Sequence, residues 1–273
     1  MWRSKMIAPS AKIAKTAIIA EGAKIGENVE IGEYCIIGEN VEIGEGSKIA
    51  HHACVEGYTK IGKNNKIFSY AAVGIPPQDL KFAGEKTELI IGDNNLIREF
   101  TTLNPGTEGG GGVTKIGNGN LLMAYVHVAH DCIIGNSCIL ANGATLAGHI
   151  ELGNYVNVGG LTPIHQFCKV GDGAMVAGAS ALSQDIPPYC MAEGNRAVIR
   201  GLNRHRMRLL FSHEEVDSIS ALYKILLSRS APIKELAQSE LEKNPNNPHT
   251  QNICNFILNS TRGIPLKKGS ISE

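Results

Sequence analysis

An aliphatic residue recurs at every sixth position along most of this chain, and this period constrains the fold more than any other feature. One unbroken series of twelve Ile or Val residues runs from Ile7 to Val73, and a second series of twelve aliphatic residues runs from Ile116 to Leu182. Three more positions in the same period lie between them, at Ile91, Ile97 and Leu103. Residues six apart lie about 240° apart around an α-helix, so this spacing makes no apolar stripe there. A hexapeptide period instead predicts a parallel β-helix.

Each hexad is expected to form one short strand and one corner of that β-helix. The residue after the aliphatic position is mostly Ala or Gly, which lets the backbone turn without a Cβ clash. The 27 aliphatic positions make nine coils of three sides. Stacked coils would hydrogen-bond as parallel strands about 4.8 Å apart, so the predicted prism is about 43 Å long.

Two breaks in the period are predicted to leave the prism as loops, at residues 74–90 and 104–115. Loops that project from a rigid scaffold often carry function. The second contains four glycines in a row, Gly109 to Gly112, but the Lys-Ser/Thr pair of a phosphate-binding loop does not follow them. We therefore predict a flexible hinge or lid there, with phosphate binding as the minor alternative.

The period stops at Asp185–Pro188, and helical signals follow it. Three helix starts are predicted, at the capping box Ser212–Glu215, at Pro232 and at Asn247-Pro248. The last helix should end at Gly263–Pro265. The predicted fold class is therefore mainly β, with a β-helix domain over residues 1–188 and a small α-helical domain over residues 189–273.

Composition excludes several classes of protein. The formal net charge is zero, so nothing drives the chain toward nucleic acid or a charged membrane surface. No segment approaches the roughly 18 apolar residues of a membrane span, and Met1–Lys5 does not open a signal peptide. Seven cysteines without a CxxC pair predict reduced thiols in a cytoplasmic protein and no zinc site.

Four histidines lie within the second aliphatic series, at His127, His130, His149 and His165. The aliphatic residues that precede the last three are 18 residues apart, which is three hexads, so they should stack at the same corner of successive coils. A single histidine is most often a surface residue or a satisfied core residue. Three that a regular scaffold brings into one column predict an active site.

Four short runs then resemble one known family: Gln78–Lys81, His127–Cys132, Leu146–His149 and Ile164–Phe167. They are similar to the UDP-N-acetylglucosamine O-acyltransferases, a hexapeptide-repeat family of lipid A synthesis, and the similarity spans nearly the whole chain. It implies a left-handed parallel β-helix and a homotrimer with active sites between subunits. It also implies transfer of a 3-hydroxyacyl chain from acyl carrier protein to the 3-OH of UDP-GlcNAc, with no metal or cofactor.

The chemistry of that transfer requires a base for the sugar hydroxyl, and a neutral histidine has the right basicity near pH 7. His130 is the predicted general base. The adjacent Asp131 would either orient its ring or contact the sugar. By resemblance, the backbone N–H of Gly148 binds the oxyanion, although a glycine at a corner is also expected on structural grounds alone.

The remaining site residues follow from the resemblance only. The substrate-binding set is Gln78, Asp79, Lys81, His127, His149, His165, Gln166, Asn203, and Arg206 or Arg208, between which a one-residue difference in register leaves the choice open. The acyl-chain groove is Met175, Gly178 and Arg196. The basic stretch from Arg196 to Arg208 could attract the acidic carrier protein, or it could be a solvated helix face.

Three other functions are weighed against this one. The same reaction could act on a 3-amino analogue of the sugar nucleotide. The sister UDP-acylglucosamine N-acyltransferase has an additional N-terminal domain, for which the hexads that begin at Ile7 leave no room. A β-solenoid scaffold or ice-binding protein should carry a repeated polar or Thr ladder, whereas this chain has irregular loops and clustered histidines.

Overall fold

The computed structural model describes residues 6–266, and they form a three-sided parallel β-helix followed by helices. We name its faces A, B and C in chain order. Face A has the strands Met6–Ile7, Lys24–Ile25, Glu42–Ile43, Tyr58–Ile61, Glu88–Ile91, Val113–Ile116, Ile133–Ile134, Glu151–Leu152 and Lys169–Val170. Face B has Lys12–Ile13, Glu30–Ile31, Lys48–Ile49, Lys66–Ile67, Leu96–Ile97, Leu121–Leu122, Ile139–Leu140, Asn157–Val158 and Met175–Val176. Face C has Ile18–Ile19, Ile36–Ile37, Cys54–Val55, Ala72–Val73, Thr102–Leu103, His127–Val128, Thr145–Leu146 and Pro163–Ile164.

The aliphatic period predicted from the sequence sets the register of every face. Each aliphatic residue pairs with the aliphatic residue of the next coil, as Val128 does with Leu146 and Leu146 with Ile164. Leu182 completes the ninth coil through a bridge to Ile164. The prediction of nine coils is therefore confirmed. These residues point inward and form one core that runs along the prism.

The three outer faces differ in charge. Oppositely charged side chains of neighbouring coils pair on face A. The Nζ atom of Lys24 lies 2.6 Å from Oε1 of Glu42, and that of Lys169 lies 2.9 Å from Oε1 of Glu151. The outward positions of face C carry no Lys, Arg, Asp or Glu: they are Ile18, Ile36, Cys54, Ala72, Thr102, His127, Thr145 and Pro163. Such an uncharged face on a regular solenoid suits contact with another protein surface.

Beyond the coils, β-structure continues before the helices begin. Strand Cys190–Glu193 adds to face B beside Met175–Val176, and Val198–Leu202 pairs with it antiparallel. The helices follow as α1 Arg204–Leu210, α2 His213–Leu226, α3 Ile233–Lys243 and α4 Pro248–Leu258. The division into domains at residue 188 stays a prediction.

The three predicted helix starts are confirmed, two of them by side-chain caps. Ser212 and Glu215 form the capping box of α2, and Asn247 caps α4, which has Pro248 in its first turn. Two features differ from the prediction. Helix α1, which Asn203 caps, is a fourth helix beyond the three predicted, and it begins in the basic stretch for which a solvated helix face was one of the two interpretations. Helix α4 ends at Leu258, several residues before the predicted stop.

A strap of residues 260–263 explains the early end of α4. Fully buried Asp185 accepts hydrogen bonds from the hydroxyl of Ser260 at 2.6 Å and from the N–H of Arg262 at 3.2 Å. The same carboxylate accepts the N–H of Lys169 at 2.7 Å. The strap therefore ties the end of the helical part to the last coil.

Two other predictions concern the chain as a whole. All seven cysteines are free thiols. Between residues 6 and 266, no helix has both the length and the apolar character needed to cross a membrane. The segment Met1–Lys5, on which the signal-peptide prediction rests, lies outside the described residues.

Candidate active site

The centre of the site is a His–Asp dyad at the corner between faces C and A. The Nδ1 atom of His130 lies 2.7 Å from Oδ2 of Asp131. Because an ionised carboxylate only accepts hydrogen bonds, Nδ1 carries the ring proton and the lone pair of Nε2 is free. The His130 side chain is 15% exposed and that of Asp131 only 1%. This arrangement can hold a neutral imidazole with its basic atom directed outward.

Thr107 holds the other side of the Asp131 carboxylate. Its N–H donates to Oδ1 at 2.9 Å and its hydroxyl donates to Oδ2 at 2.7 Å. The residues from Asn104 to Thr107 are buried, so this half of the glycine-rich loop is part of the site's support and not the flexible lid predicted above. Sequence reasoning missed Thr107, because its only signal was a position in a loop between coils.

Gly148 lies directly against the His130 ring. A Cβ added at this glycine would approach Cε1 of His130 to 2.6 Å and Nε2 to 2.8 Å, so no side chain fits. The N–H groups on either side are bonded, that of Ala147 to Ile164 O at 3.1 Å and that of His149 to His130 O at 3.0 Å. Among residues 6–266, the Gly148 N–H has no acceptor. It is thus available to a ligand next to the base.

Two further histidines border the dyad. The His149 ring meets the His130 ring edge-on at 5.0 Å and stacks on Phe167 at 4.4 Å. His127 lies with Nδ1 2.6 Å from the hydroxyl of Thr102. Burial lowers the pKa of His149, and burial followed by the charge of His130 lowers that of His127. At a given pH, a larger fraction of each ring is therefore neutral than in a free histidine.

The first loop brings Asp79 over the dyad. Its Oδ2 lies 3.9 Å from Nε2 of His130, which is too long for a hydrogen bond and leaves the base accessible. Its Oδ1 accepts the N–H of Lys81 at 3.0 Å, which fixes the loop locally. The side chains of Gln78 and Lys81 are exposed at the rim.

His165 and Gln166 lie one coil further along. The backbone of His165 follows Ile164 as that of Ala147 follows Leu146, so His165 lies in the column beside the dyad. Both side chains are exposed, and His165 Nδ1 is 3.1 Å from a guanidinium nitrogen of Arg262. The rings of His130 and His149 meet beside Gly148, whereas the hydrogen-bond contacts of the His165 ring are with Gln166 and Arg262.

The nucleotide-binding candidates of the C-terminal part lie at the corner between faces A and B. Asn203 is buried, accepting the N–H of Arg206 at 3.2 Å and donating to Gly173 O at 2.9 Å. The Arg206 guanidinium lies 5.8 Å from the Tyr155 ring and 3.5 Å from Oδ1 of Asn157. Arg208 is exposed.

The acyl-groove candidates lie at the third corner, between faces B and C. Met175 is on the last strand of face B and Gly178 follows it at the corner. Arg196 is exposed in the turn between strands Cys190–Glu193 and Val198–Leu202. Within one chain, the predicted site residues therefore lie at all three corners of the prism. Only those at the corner between faces C and A lie close to the dyad.

Two alternative chemistries fit the dyad less well. Ligand atoms of His130, Asp131 and His149 lie within 4.8 Å of one another, which meets the geometry of a metal site. The Asp131 carboxylate, however, already accepts two bonds from Thr107 and one from His130. Burial raises the pKa of the neighbouring Cys132 thiol to about 12, so it stays protonated and is a poor nucleophile.

The coils and the corner histidines define a class of protein. The family model described as "Bacterial transferase hexapeptide (six repeats)" matches residues 22–57 and 114–148. The chain is a hexapeptide-repeat transferase. A second model, "Udp N-acetylglucosamine O-acyltransferase; Domain 2", matches residues 185–265.

Individual relatives identify the family. The Acyl-[acyl-carrier-protein]--UDP-N-acetylglucosamine O-acyltransferase of Helicobacter pylori strain Shi470 is 58% identical over 218 residues, 80% of this chain and 81% of the relative. A crystal structure of a UDP-N-acetylglucosamine acyltransferase has a TM-score of 0.93 at 58% identity, covering 94% of this chain and 100% of its own. The Campylobacter jejuni enzyme has a TM-score of 0.90 at 49% identity, with the same coverage. The chain belongs to the UDP-N-acetylglucosamine O-acyltransferase family.

Proposed function

We propose that this chain is an enzyme that transfers a 3-hydroxyacyl group from acyl carrier protein to the 3-OH of UDP-GlcNAc, the first step of lipid A synthesis. The relatives' names give the carrier-bound donor, the sugar nucleotide and the O-acyl product. The observation that carries the proposal is the dyad of His130 and Asp131 with Gly148 packed against it. It supplies a base and an unbonded N–H within one small volume.

In this reaction His130 Nε2 removes the proton of the sugar hydroxyl as its oxygen attacks the thioester carbonyl. A C–O bond forms, and the oxyanion of the tetrahedral intermediate accepts a hydrogen bond from the Gly148 N–H. When the intermediate collapses, the C–S bond breaks and His130 returns the proton to the sulfur of the carrier. Asp131 keeps the proton on Nδ1 throughout, which preserves Nε2 as the base.

We assign the other predicted residues to binding. The substrate-binding residues are Gln78, Asp79, Lys81, His127, His149, His165, Gln166, Asn203, and Arg206 or Arg208. Arg208 is the stronger candidate for the diphosphate, because it is exposed while the Arg206 guanidinium already contacts Tyr155 and Asn157. The exposed Arg196, Arg200, Arg204 and Arg208 make a basic surface suited to an acidic carrier protein.

We propose that the active form is a homotrimer. Face C is free of charged residues along its outer positions, and an aromatic ladder borders it: Tyr34, His52, Tyr70, Phe100 and Tyr125. Tyr34 and Tyr125 are 59% and 62% exposed in the single chain, so the ladder is available to a neighbouring copy. Since one chain leaves its three groups of site residues at separate corners, packed prisms are needed to bring them together.

We place the enzyme in the cytoplasm. Its seven free cysteines include six fully buried thiols, and none is paired in a disulfide. Such usage suits a reducing compartment.

One assay tests the proposed function. Purified protein is offered carrier-bound 3-hydroxyacyl groups of several lengths with UDP-GlcNAc or its 3-amino analogue. We expect an ester product with UDP-GlcNAc, and a loss of kcat of about 100-fold or more in His130→Ala because general base catalysis contributes that much. The matched control is His213→Ala, an exposed histidine at the start of α2.

Absence of transfer by the wild-type protein, or full activity of His130→Ala, would refute the proposal. Faster formation of an amide from the 3-amino analogue would establish the alternative acceptor.

The same assay tests the acyl groove. Gly178 is exposed, and a Cβ there would meet only Gly160 at ordinary contact distances of 3.4 and 3.6 Å. Gly178→Met should therefore fold normally and fill the groove, which shifts the preferred donor to shorter acyl chains. An unchanged chain-length profile would refute the assignment of Met175, Gly178 and Arg196 to the groove.

A further inference from the structure

We infer that the loop of residues 104–112 is a clamp for the Asp131 carboxylate, with Thr107 as a positioning residue for the dyad. This inference rests on the proposed function, because it concerns how His130 is held for the same reaction. Two independent contacts carry it, one made by Thr107 and one by Gly110.

Thr107 engages both carboxylate oxygens. The N–H donates to Oδ1 at 2.9 Å, and the hydroxyl donates to Oδ2 at 2.7 Å. Oδ2 is also the atom that accepts the Nδ1 proton of His130 at 2.7 Å. Because each oxygen has its own donor from one residue, the carboxylate cannot rotate about its Cβ–Cγ bond without breaking both bonds. The hydrogen bond from Nδ1 to Oδ2 then fixes the orientation of the His130 ring.

Gly110 closes the clamp from the other side. A Cβ at this residue would lie 2.0 Å from Cγ of Asp131 and 2.1 and 2.4 Å from its two oxygens. The backbone therefore lies directly on the carboxylate, and only glycine permits this approach. The neighbouring Gly109 faces open space, with nothing within 4 Å of a Cβ added there. Of these two glycines, Gly110 is therefore required for steric reasons and Gly109 is not.

The loop's own hydrogen bonds hold it in this position. The carbonyl of Thr107 accepts the N–H of Gly110 at 3.0 Å and that of Gly112 at 2.8 Å. Thr107 itself is only 6% exposed. A hydrogen-bonded turn with a buried threonine can orient the dyad before substrate binds, which is how supporting residues raise catalytic rates.

The first experiment removes the hydroxyl alone. Thr107→Val keeps the shape and the N–H but loses the bond to Oδ2. We expect kcat to fall on the order of 10- to 100-fold, since a small misplacement of the base is costly, while KM changes by less than about twofold. Thr107→Ser restores the hydroxyl and should restore kcat. The matched control is Thr87→Val, which removes another buried threonine hydroxyl that has no hydrogen-bond partner among residues 6–266.

The second experiment uses the glycines, in case Thr107→Val does not fold. Gly110→Ala places a methyl group against the Asp131 carboxylate and should lower kcat as Thr107→Val does. Gly109→Ala is the matched control in the same loop and should leave kcat unchanged. Circular dichroism and thermal unfolding are recorded for all variants, so that a loss of fold is separated from a loss of rate.

The outcomes separate this inference from the proposed function. If the wild-type protein transfers acyl groups and His130→Ala does not, the proposed function stands. The clamp would then be overturned if kcat of Thr107→Val equals that of its control Thr87→Val. It would also be overturned if kcat of Gly110→Ala equals that of its control Gly109→Ala. A fall in kcat/KM that is due to KM alone would also overturn it, because the loop would then contribute to binding and not to orientation.

Discussion

Three residues of the active corner have a backbone conformation that side chains rarely adopt. Asp131, His149 and Phe167 have φ values of +59°, +61° and +66°, in the left-handed region. They occupy the same corner position in successive coils, 18 residues apart, so their side chains stack in one column. The coil geometry demands this conformation, and the stacking of His149 on Phe167 helps to hold the rings in place.

At the same scale, His127 should make stability depend on pH. Its pKa is lowered by burial and by His130, so the unfolded chain, with an ordinary pKa of about 6.5, binds a proton more readily than the folded chain. Stability therefore rises with pH between the lowered pKa and about 6.5, and it is lost as the pH falls through that window. His127→Gln removes this contribution, so its free energy of unfolding should fall less on acidification than that of the wild type.

The measurement is urea unfolding at a series of pH values and a fixed protein concentration. His213→Gln, which replaces an exposed histidine, is the matched control. Parallel pH curves for His127→Gln and the wild type would contradict the prediction.

At the scale of elements, the features that depend on residues close in sequence could be predicted, and those that depend on distant residues could not. The coils and three of the helices depend on local patterns, such as the six-residue period and the caps of α2 and α4, and the sequence predicts them. The contact of Thr107 with Asp131 joins residues 24 apart, and that of Asp185 with Arg262 joins residues 77 apart. No local pattern marks such pairs, so the support of the dyad and the early end of α4 could not be predicted.

Loss of the strap of residues 260–263 should lower the stability of the fold. Asp185→Ala leaves the Lys169 N–H, the Ser260 hydroxyl and the Arg262 N–H without their buried acceptor. Each orphaned donor costs about 1–3 kcal/mol, so the free energy of unfolding should fall by several kcal/mol. Asp217→Ala on the exposed side of α2 should change it by less than about 0.5 kcal/mol.

Chemical denaturation of the two variants checks the strap. If Asp185→Ala unfolds at the same denaturant concentration as Asp217→Ala, the strap does not stabilise the last coil. A loss confined to the helical part, seen as an early partial transition, would still support it.

For the whole molecule, the partition of charge among the faces matters more than the net charge. Faces A and B carry ion pairs between coils, such as Lys60 with Glu88 and Lys48 with Glu30, whereas the outer positions of face C carry none. Exposed ion pairs add little to stability, with a median near 0–1 kcal/mol. Their effect is to keep two faces in water, which leaves face C as the proposed surface for contact between copies.

From this distribution of charge we predict that one substitution on face C and one on face A have opposite effects on assembly. Ile36 on face C and Ile133 on face A are both outward strand residues, 43% and 48% exposed in the single chain. Ile36→Lys would bury an unpaired ammonium in every contact of the proposed trimer, at a cost of several kcal/mol per ion. We expect it to dissociate toward the 29.2 kDa chain, whereas Ile133→Lys should keep the mass of the wild-type assembly.

Sedimentation velocity over a range of protein concentrations measures both variants, and circular dichroism confirms that each is folded. Ile36 is on the second strand of face C and His127 on the sixth, so about four coils, or roughly 19 Å, separate the substitution from the dyad's corner. Loss of acyl transfer together with dissociation of Ile36→Lys would therefore show that a neighbouring copy completes the site. A wild-type protein that sediments as a monomer, or an Ile36→Lys variant that dissociates but keeps full activity, would contradict the proposed trimeric site.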